Sequence, residues 1–175
     1  MTSEQYNRMA SALQRKPGLI AAILWANRIM TAIGFMAYPA LLAWIVFVQF
    51  HHNTGKTISA LAIYILGPGL AFVLLSLYRR KLNRPRPYEM LDIRPVISKD
   101  TSGQSFPSRH IFSMTLIAVL WCPFQPVLSV LLLIISMILS AIRVIGGVHF
   151  VRDVAAGYLI GTVSGALIHL IYMLF

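Results

Sequence analysis

Charge is scarce in this sequence. Only 11% of its 175 residues are charged and 58% are hydrophobic, with a mean hydropathy of +0.74, whereas soluble domains carry roughly a quarter charged residues. That balance excludes an ordinary soluble fold and places most of the chain in lipid. Acidic residues are scarcest of all: Glu4, Glu89, Asp92, Asp100 and Asp153 are the full set. They are too few for the carboxylate-rich shell a magnesium ion wants, so no metal and no other cofactor is expected. The lone cysteine, Cys122, has no partner within the chain, which excludes an intrachain disulfide and a CxxC metal site. The apolar run after the polar N-terminus is too long for a signal-peptide core, so no cleaved signal is expected.

What charge there is has one sign, a formal +10. A nucleic-acid binder would display it on a solvated face. Here it sits between long apolar runs, so anionic headgroups or a phosphorylated lipid fit better than nucleic acid.

Length and hydropathy together predict an all-α, polytopic membrane bundle forming a single domain over residues 1–175. Residues 1–17 form an amphipathic segment, with Tyr6, Met9, Ala10 and Leu13 at helical spacing before Pro17-Gly18, and suit an interfacial anchor helix. Five spans are expected, at about residues 29–50, 57–78, 108–122, 127–145 and 150–175, or six if residues 1–28 hide another. Pro39 predicts a kink in the first, and Gly67-Pro68-Gly69 a bend or break in the second. His51 and His52 fall on a loop tip and His169 within the last span, where core or interfacial roles suffice.

Residues 79–107 break the apolar pattern with a long polar loop rich in arginine, lysine and proline. Two crossings separate it from the turn at residues 143–153, so both face the same side of the membrane. Charged groups beside spans are costly in lipid and mark function.

Three clusters converge there. In Arg79-Arg80-Lys81-Leu82-Asn83-Arg84-Pro85-Arg86-Pro87, guanidinium forks at positions 79 and 86 match phosphate oxygens, although a basic flank binding headgroups would look similar. In Ser105-Phe106-Pro107-Ser108-Arg109-His110, Ser108 is placed to cap a helix whose free N–H groups attract an anion. His110, in the first turn, could protonate a leaving oxygen, or simply be an interfacial histidine. In the third, Arg143, His149 and Asp153 surround Gly146-Gly147. With His149 in the first turn of the last span, Asp153 at i+4 could fix its tautomer and leave the other ring nitrogen as a nucleophile. A structural salt bridge from Asp153 to Arg143 or Arg152 is the plainer alternative.

These three clusters resemble the motifs of the type 2 phosphatidic acid phosphatases, which share a catalytic core with vanadium haloperoxidases. The family pattern is Lys, six residues, Arg-Pro; Pro-Ser-Gly-His; and Ser-Arg, five residues, His, three residues, Asp. Arg79 stands where Lys is usual, Arg109 where Gly is usual and Ile142 where Ser is usual. The resemblance covers residues 79–153. It implies that His149 attacks phosphorus, Asp153 orients it and His110 protonates the leaving group. It further implies that Arg79, Arg86, Ser108, Arg109 and Arg143 hold the phosphate oxygens, without a metal. The partner it implies is a membrane lipid bearing a phosphate or pyrophosphate, with phosphatidic acid, phosphatidylglycerol phosphate and undecaprenyl pyrophosphate as candidates.

A catalytically silent lipid-phosphate binder would not need both histidines and Asp153, and a vanadate-dependent haloperoxidase would be soluble. Loop charges place the motif-bearing face in the cytoplasm by the positive-inside rule, whereas resemblance to bacterial members implies the outer face of the plasma membrane.

Overall fold

The computed structural model of the protein describes residues 3–49, 54–91, 93, 95–97 and 102–174. His51, His52, Asp92, Arg94, Lys99 and Asp100 lie outside the described residues. Among those described the chain is all helical: α1 (Ser3–Gln14), α2 (Pro17–Gln49), α3 (Thr54–Leu82), α4 (Pro87–Met90), α5 (Arg109–Trp121), α6 (Pro126–Ile145) and α7 (Val151–Leu174).

Four of these, α2, α3, α6 and α7, are long and apolar enough to cross a membrane. They turn large hydrophobic side chains outward, with Phe35, Phe47, Leu66 and Val127 each about 70% exposed, as helices in lipid do. The third apolar run, expected to span, forms a helix of only 13 residues, about 20 Å long. It lies at the centre of the bundle. Ile111, Phe112, Thr115, Ala118 and Leu120 are buried on several faces of α5, the pattern of a helix packed all round by protein.

Neither expected interruption breaks a helix. Pro39 lies inside α2 and Pro68 inside α3. Pro68 has no N–H to give the carbonyl four residues earlier, which belongs to Tyr64. The Tyr38 hydroxyl of α2 donates to that same carbonyl at 2.9 Å, so the group is satisfied across the helix pair. Tyr64 in turn meets His169 Nδ1 through its hydroxyl at 3.1 Å, which gives His169 a core role as expected.

The pairing of α5 with α7 joins two of the three motif clusters. Gly157 and Gly161 face α5, and a Cβ at either would collide with the backbone carbonyl of Ser108 or Phe112. Small residues four apart let two backbones touch, the device familiar from membrane helix pairs. At the upper end of this seam Ser108 N donates to Asp153 O at 2.8 Å. The second and third clusters are therefore joined through backbone.

Helix α1 does more than lie along the chain. Tyr6 and Ala10 are buried against Ile93, Tyr88 and Leu91, and the Tyr6 hydroxyl accepts from Val96 N at 3.4 Å.

Candidate functional site

The long polar loop is held in shape by local chemistry. Arg86 precedes a proline at the start of α4, and Glu89 closes a capping box by accepting from Arg86 N at 2.7 Å, as such a sequence favours. The same carboxylate accepts from Gly103 N at 2.9 Å, clamping the two strands of the loop together. Arg86 Nε donates to Gly103 O at 3.0 Å. Arg79, on the last turn of α3, donates through both terminal nitrogens to the carbonyls of Gln104 and Pro107. It anchors the segment carrying Ser105 and Ser108, which leaves only its remaining N–H donors for a ligand.

The turn between α6 and α7 folds back on Arg143. Val148 N and His149 N both donate to Arg143 O, at 3.2 and 3.3 Å, a reversal that Gly147 permits with a φ of +76°. His149 consequently lies in this turn and not in the first turn of α7, as the spacing had suggested. The reason is the cap: Asp153 Oδ2 accepts from Phe150 N at 3.0 Å, so α7 begins only at Val151.

Asp153 nevertheless reaches His149, with Oδ2 3.6 Å from Nδ1. Between them sits Ser105, to which the motif spacing assigns no role. Its buried hydroxyl donates to Asp153 Oδ2 at 2.5 Å and lies 3.5 Å from His149 Nδ1. Its place in a polar, proline-stiffened loop three residues before Ser108 is visible in the sequence, but only the fold brings it to the third cluster. With Nδ1 facing Ser105 and Asp153, the free ring nitrogen is Nε2.

Burial lowers the His149 pKa to about 4, with the charges of Arg143 and Arg86 pushing the same way against the raising effect of Asp153. The imidazole is therefore neutral near pH 7, the form with a lone pair to donate.

Around it stand donors without acceptors. Arg86, Arg143, Ser108 and His149 are each at most 5% exposed. Among the described residues Arg86 Nη1, Arg143 Nε and Ser108 Oγ have no hydrogen-bond partner. Arg143 has one weak contact, Nη2 to Thr31 Oγ1 at 3.4 Å. Ser108 occupies the cap position of α5 as expected, but its hydroxyl makes no capping bond. Unpaired buried donors and cations are costly, and a tetrahedral oxyanion would satisfy several at once.

Arg109 and His110 begin α5 and line a cavity of about 400 Å³ between α2, α3 and α5, otherwise apolar apart from Thr31 and Ser113. The Arg109 guanidinium carbon lies 5.4 Å from the Phe72 ring centroid. Of the two partners in the plainer alternative, Arg152 lies 3.7 Å from Asp153 and Arg143 does not pair with it; His149 is the other ion-pair neighbour of Asp153 among the described residues.

The fold and this cluster define a multi-pass membrane protein with a buried, cation-lined polar site at the helix ends. Residues 56–174 match the PAP2 superfamily, and the chain belongs to that family. The motif resemblance to type 2 phosphatidic acid phosphatases is thereby upheld. Solved structures with this fold include these two. LpxE of Aquifex aeolicus is 24% identical, with 95% of this chain and 93% of that one covered and a TM-score of 0.68. A transmembrane PAP2-type phosphatidylglycerolphosphate phosphatase from Bacillus subtilis is 23% identical, with 95% and 91% covered and a TM-score of 0.60. No curated protein matches.

Proposed function

We propose that the protein is a membrane phosphatase that hydrolyses a lipid phosphate monoester or a polyprenyl pyrophosphate through a phosphohistidine intermediate. The observation that supports it best is the convergence of unpaired donors on Arg86, Arg143 and Ser108 with a neutral, carboxylate-oriented His149. The donors bind the phosphoryl oxygens and stabilise the charge of the pentacoordinate state. His149 Nε2 attacks phosphorus while Asp153, steadied by Ser105, holds the Nδ1 proton. His110 gives a proton to the departing oxygen, and water then cleaves the phosphohistidine.

Arginine supplies the neutralising charge, so the reaction needs no metal ion. Arg79 both anchors the loop and contributes to the anion site, and the backbone N–H of Arg109 adds a donor at the start of α5. The chain works as one domain with the motifs in residues 79–153. Its helix α5 completes a fifth crossing, and α1 lies at the interface of the plasma membrane. A substrate whose tail stays in lipid can present its headgroup to a site at the helix ends.

The test is phosphate release by detergent-purified protein with EDTA present, using undecaprenyl pyrophosphate, phosphatidylglycerol phosphate and phosphatidic acid. Release that survives EDTA and disappears in His149→Ala is the expected result. Release indifferent to His149 would overturn the assignment.

A further inference from the structure

Arg109 is a cation inside the second motif whose side chain the single-phosphate site does not use. It stands where the family pattern has glycine, and its side chain is exposed at the first position of α5. No described carboxylate pairs with it: Glu4 meets Arg8, Glu89 clamps Gly103, and Asp153 faces His149, Ser105 and Arg152. Its guanidinium lies over the face of Phe72, a 40% exposed residue of α3. It shares the apolar cavity wall with His110, and its charge is near enough to act on Arg79.

That position has a chemical meaning. His110, as the proton donor, marks the side from which the leaving group departs, and the adjoining cavity, lined by Phe35, Tyr38, Gly69 and Met114, is apolar enough for a hydrocarbon chain. A chain running from His110 into that cavity follows a wall to which Arg109 also contributes. An alcohol oxygen gives a guanidinium nothing ionic to hold. A second phosphate gives it two oxygens, and the contact with the Phe72 ring face uses none of its N–H donors in a hydrogen bond to an oxygen.

We propose that Arg109 binds the chain-proximal phosphate of a lipid diphosphate and makes this site selective for diphosphates over monophosphates. The inference rests on the phosphohistidine reading above. His149 Nε2 forms a bond to the terminal phosphorus while the bond from that phosphorus to the bridging oxygen breaks. The electron pair goes to the bridging oxygen, and the lipid monophosphate departs against Arg109. Water's oxygen then bonds to the phosphorus as the P–Nε2 bond breaks, its electron pair returning to a neutral imidazole, while the water's proton passes to His110 and replaces the one His110 gave to the bridging oxygen; inorganic phosphate is released. The sum is lipid diphosphate plus water giving lipid monophosphate plus phosphate. The reaction that feeds such a site is one that releases a lipid diphosphate, and its product suits a step that consumes a lipid monophosphate.

The experiment compares farnesyl diphosphate with farnesyl monophosphate, which differ only in the second phosphate, as substrates of the full-length protein in detergent. The wild type is expected to favour the diphosphate in kcat/KM, and Arg109→Gly, which installs the family's usual residue, to reduce that preference by about tenfold or more, as loss of a charged hydrogen bond does. Arg109→Gln is measured in parallel so that the outcome does not hang on glycine at the start of a helix, and Arg109→Lys should keep part of the preference. A ratio within about twofold of wild type in both the glycine and glutamine variants overturns the inference. If His149→Ala also abolishes both activities, only the selectivity proposal has failed; if it abolishes neither, the phosphohistidine reading has failed first.

Discussion

The Ser105 hydroxyl donates to Asp153 Oδ2 at 2.5 Å while lying 3.5 Å from His149 Nδ1. One serine from the second motif region thus fixes the carboxylate that orients the histidine of the third. If His149 is the nucleophile, Ser105→Ala frees the Asp153 carboxylate and the imidazole. The expected outcome is a fall in kcat of about 10- to 100-fold with a smaller change in KM, as positioning defects give. Ser105→Thr, which keeps the hydroxyl, should recover most of it. Steady-state kinetics on the three proteins decides this; an equal effect of alanine and threonine would point to packing alone.

The cations are not interchangeable with lysine. Arg86 donates to Gly103 O through Nε and keeps Nη1 unpaired, and Arg143 keeps Nε unpaired beside the same histidine. An ammonium cannot span both tasks, so Arg86→Lys and Arg143→Lys should each lower kcat/KM by about 100-fold. Ser108→Ala should cost less, about tenfold, because it removes a neutral donor. Phosphate-release kinetics in detergent checks the order.

Stability should depend on pH through His149. Its folded pKa of about 4 lies below the ordinary value of 6.5, so between those values the unfolded chain takes up a proton that the folded one refuses. The contribution is fully present above pH 6.5 and is lost as pH falls toward 4. The shift corresponds to roughly 3 kcal/mol at most. Thermal unfolding from about pH 7 to about pH 4 should show a decline that is shallower in His149→Gln.

The α5–α7 seam should be intolerant of a single methyl group. A Cβ at Gly161 would press on the Phe112 carbonyl, whereas one at Gly69 meets nothing within 4 Å. Gly161→Ala is expected to destabilise by roughly 1–3 kcal/mol. Gly69→Ala should be neutral or stabilising by up to about 1 kcal/mol. Thermal unfolding in one detergent measures the difference.

The sequence carried the composition of the fold more fully than its connections. Hydropathy located α2, α3, α6 and α7 because lipid demands long apolar helices whatever their neighbours. It located α5 as well, within about a residue at each end, but not its central place, since a run of apolar residues looks the same whether lipid or protein surrounds it. At Gly67-Pro68-Gly69, where a bend or break was expected, α3 is not interrupted; the Tyr38 hydroxyl from another helix satisfies the Tyr64 carbonyl, a compensation no local pattern can announce.

For the candidate site, residue identity and spacing nominated Arg86, Ser108, His110, Arg143, His149 and Asp153, since phosphate chemistry calls for such groups and the family pattern has them at those intervals. Tertiary structure decided what each group does with its hydrogen bonds. Arg79 spends its fork on the Gln104 and Pro107 carbonyls, Ser105 joins Asp153 to His149, and Arg109 turns to Phe72. Spacing determines which side chains a turn of helix can offer. Partners 25 to 48 residues away are set only when α5 and α7 pack backbone to backbone and the polar loop closes over their ends.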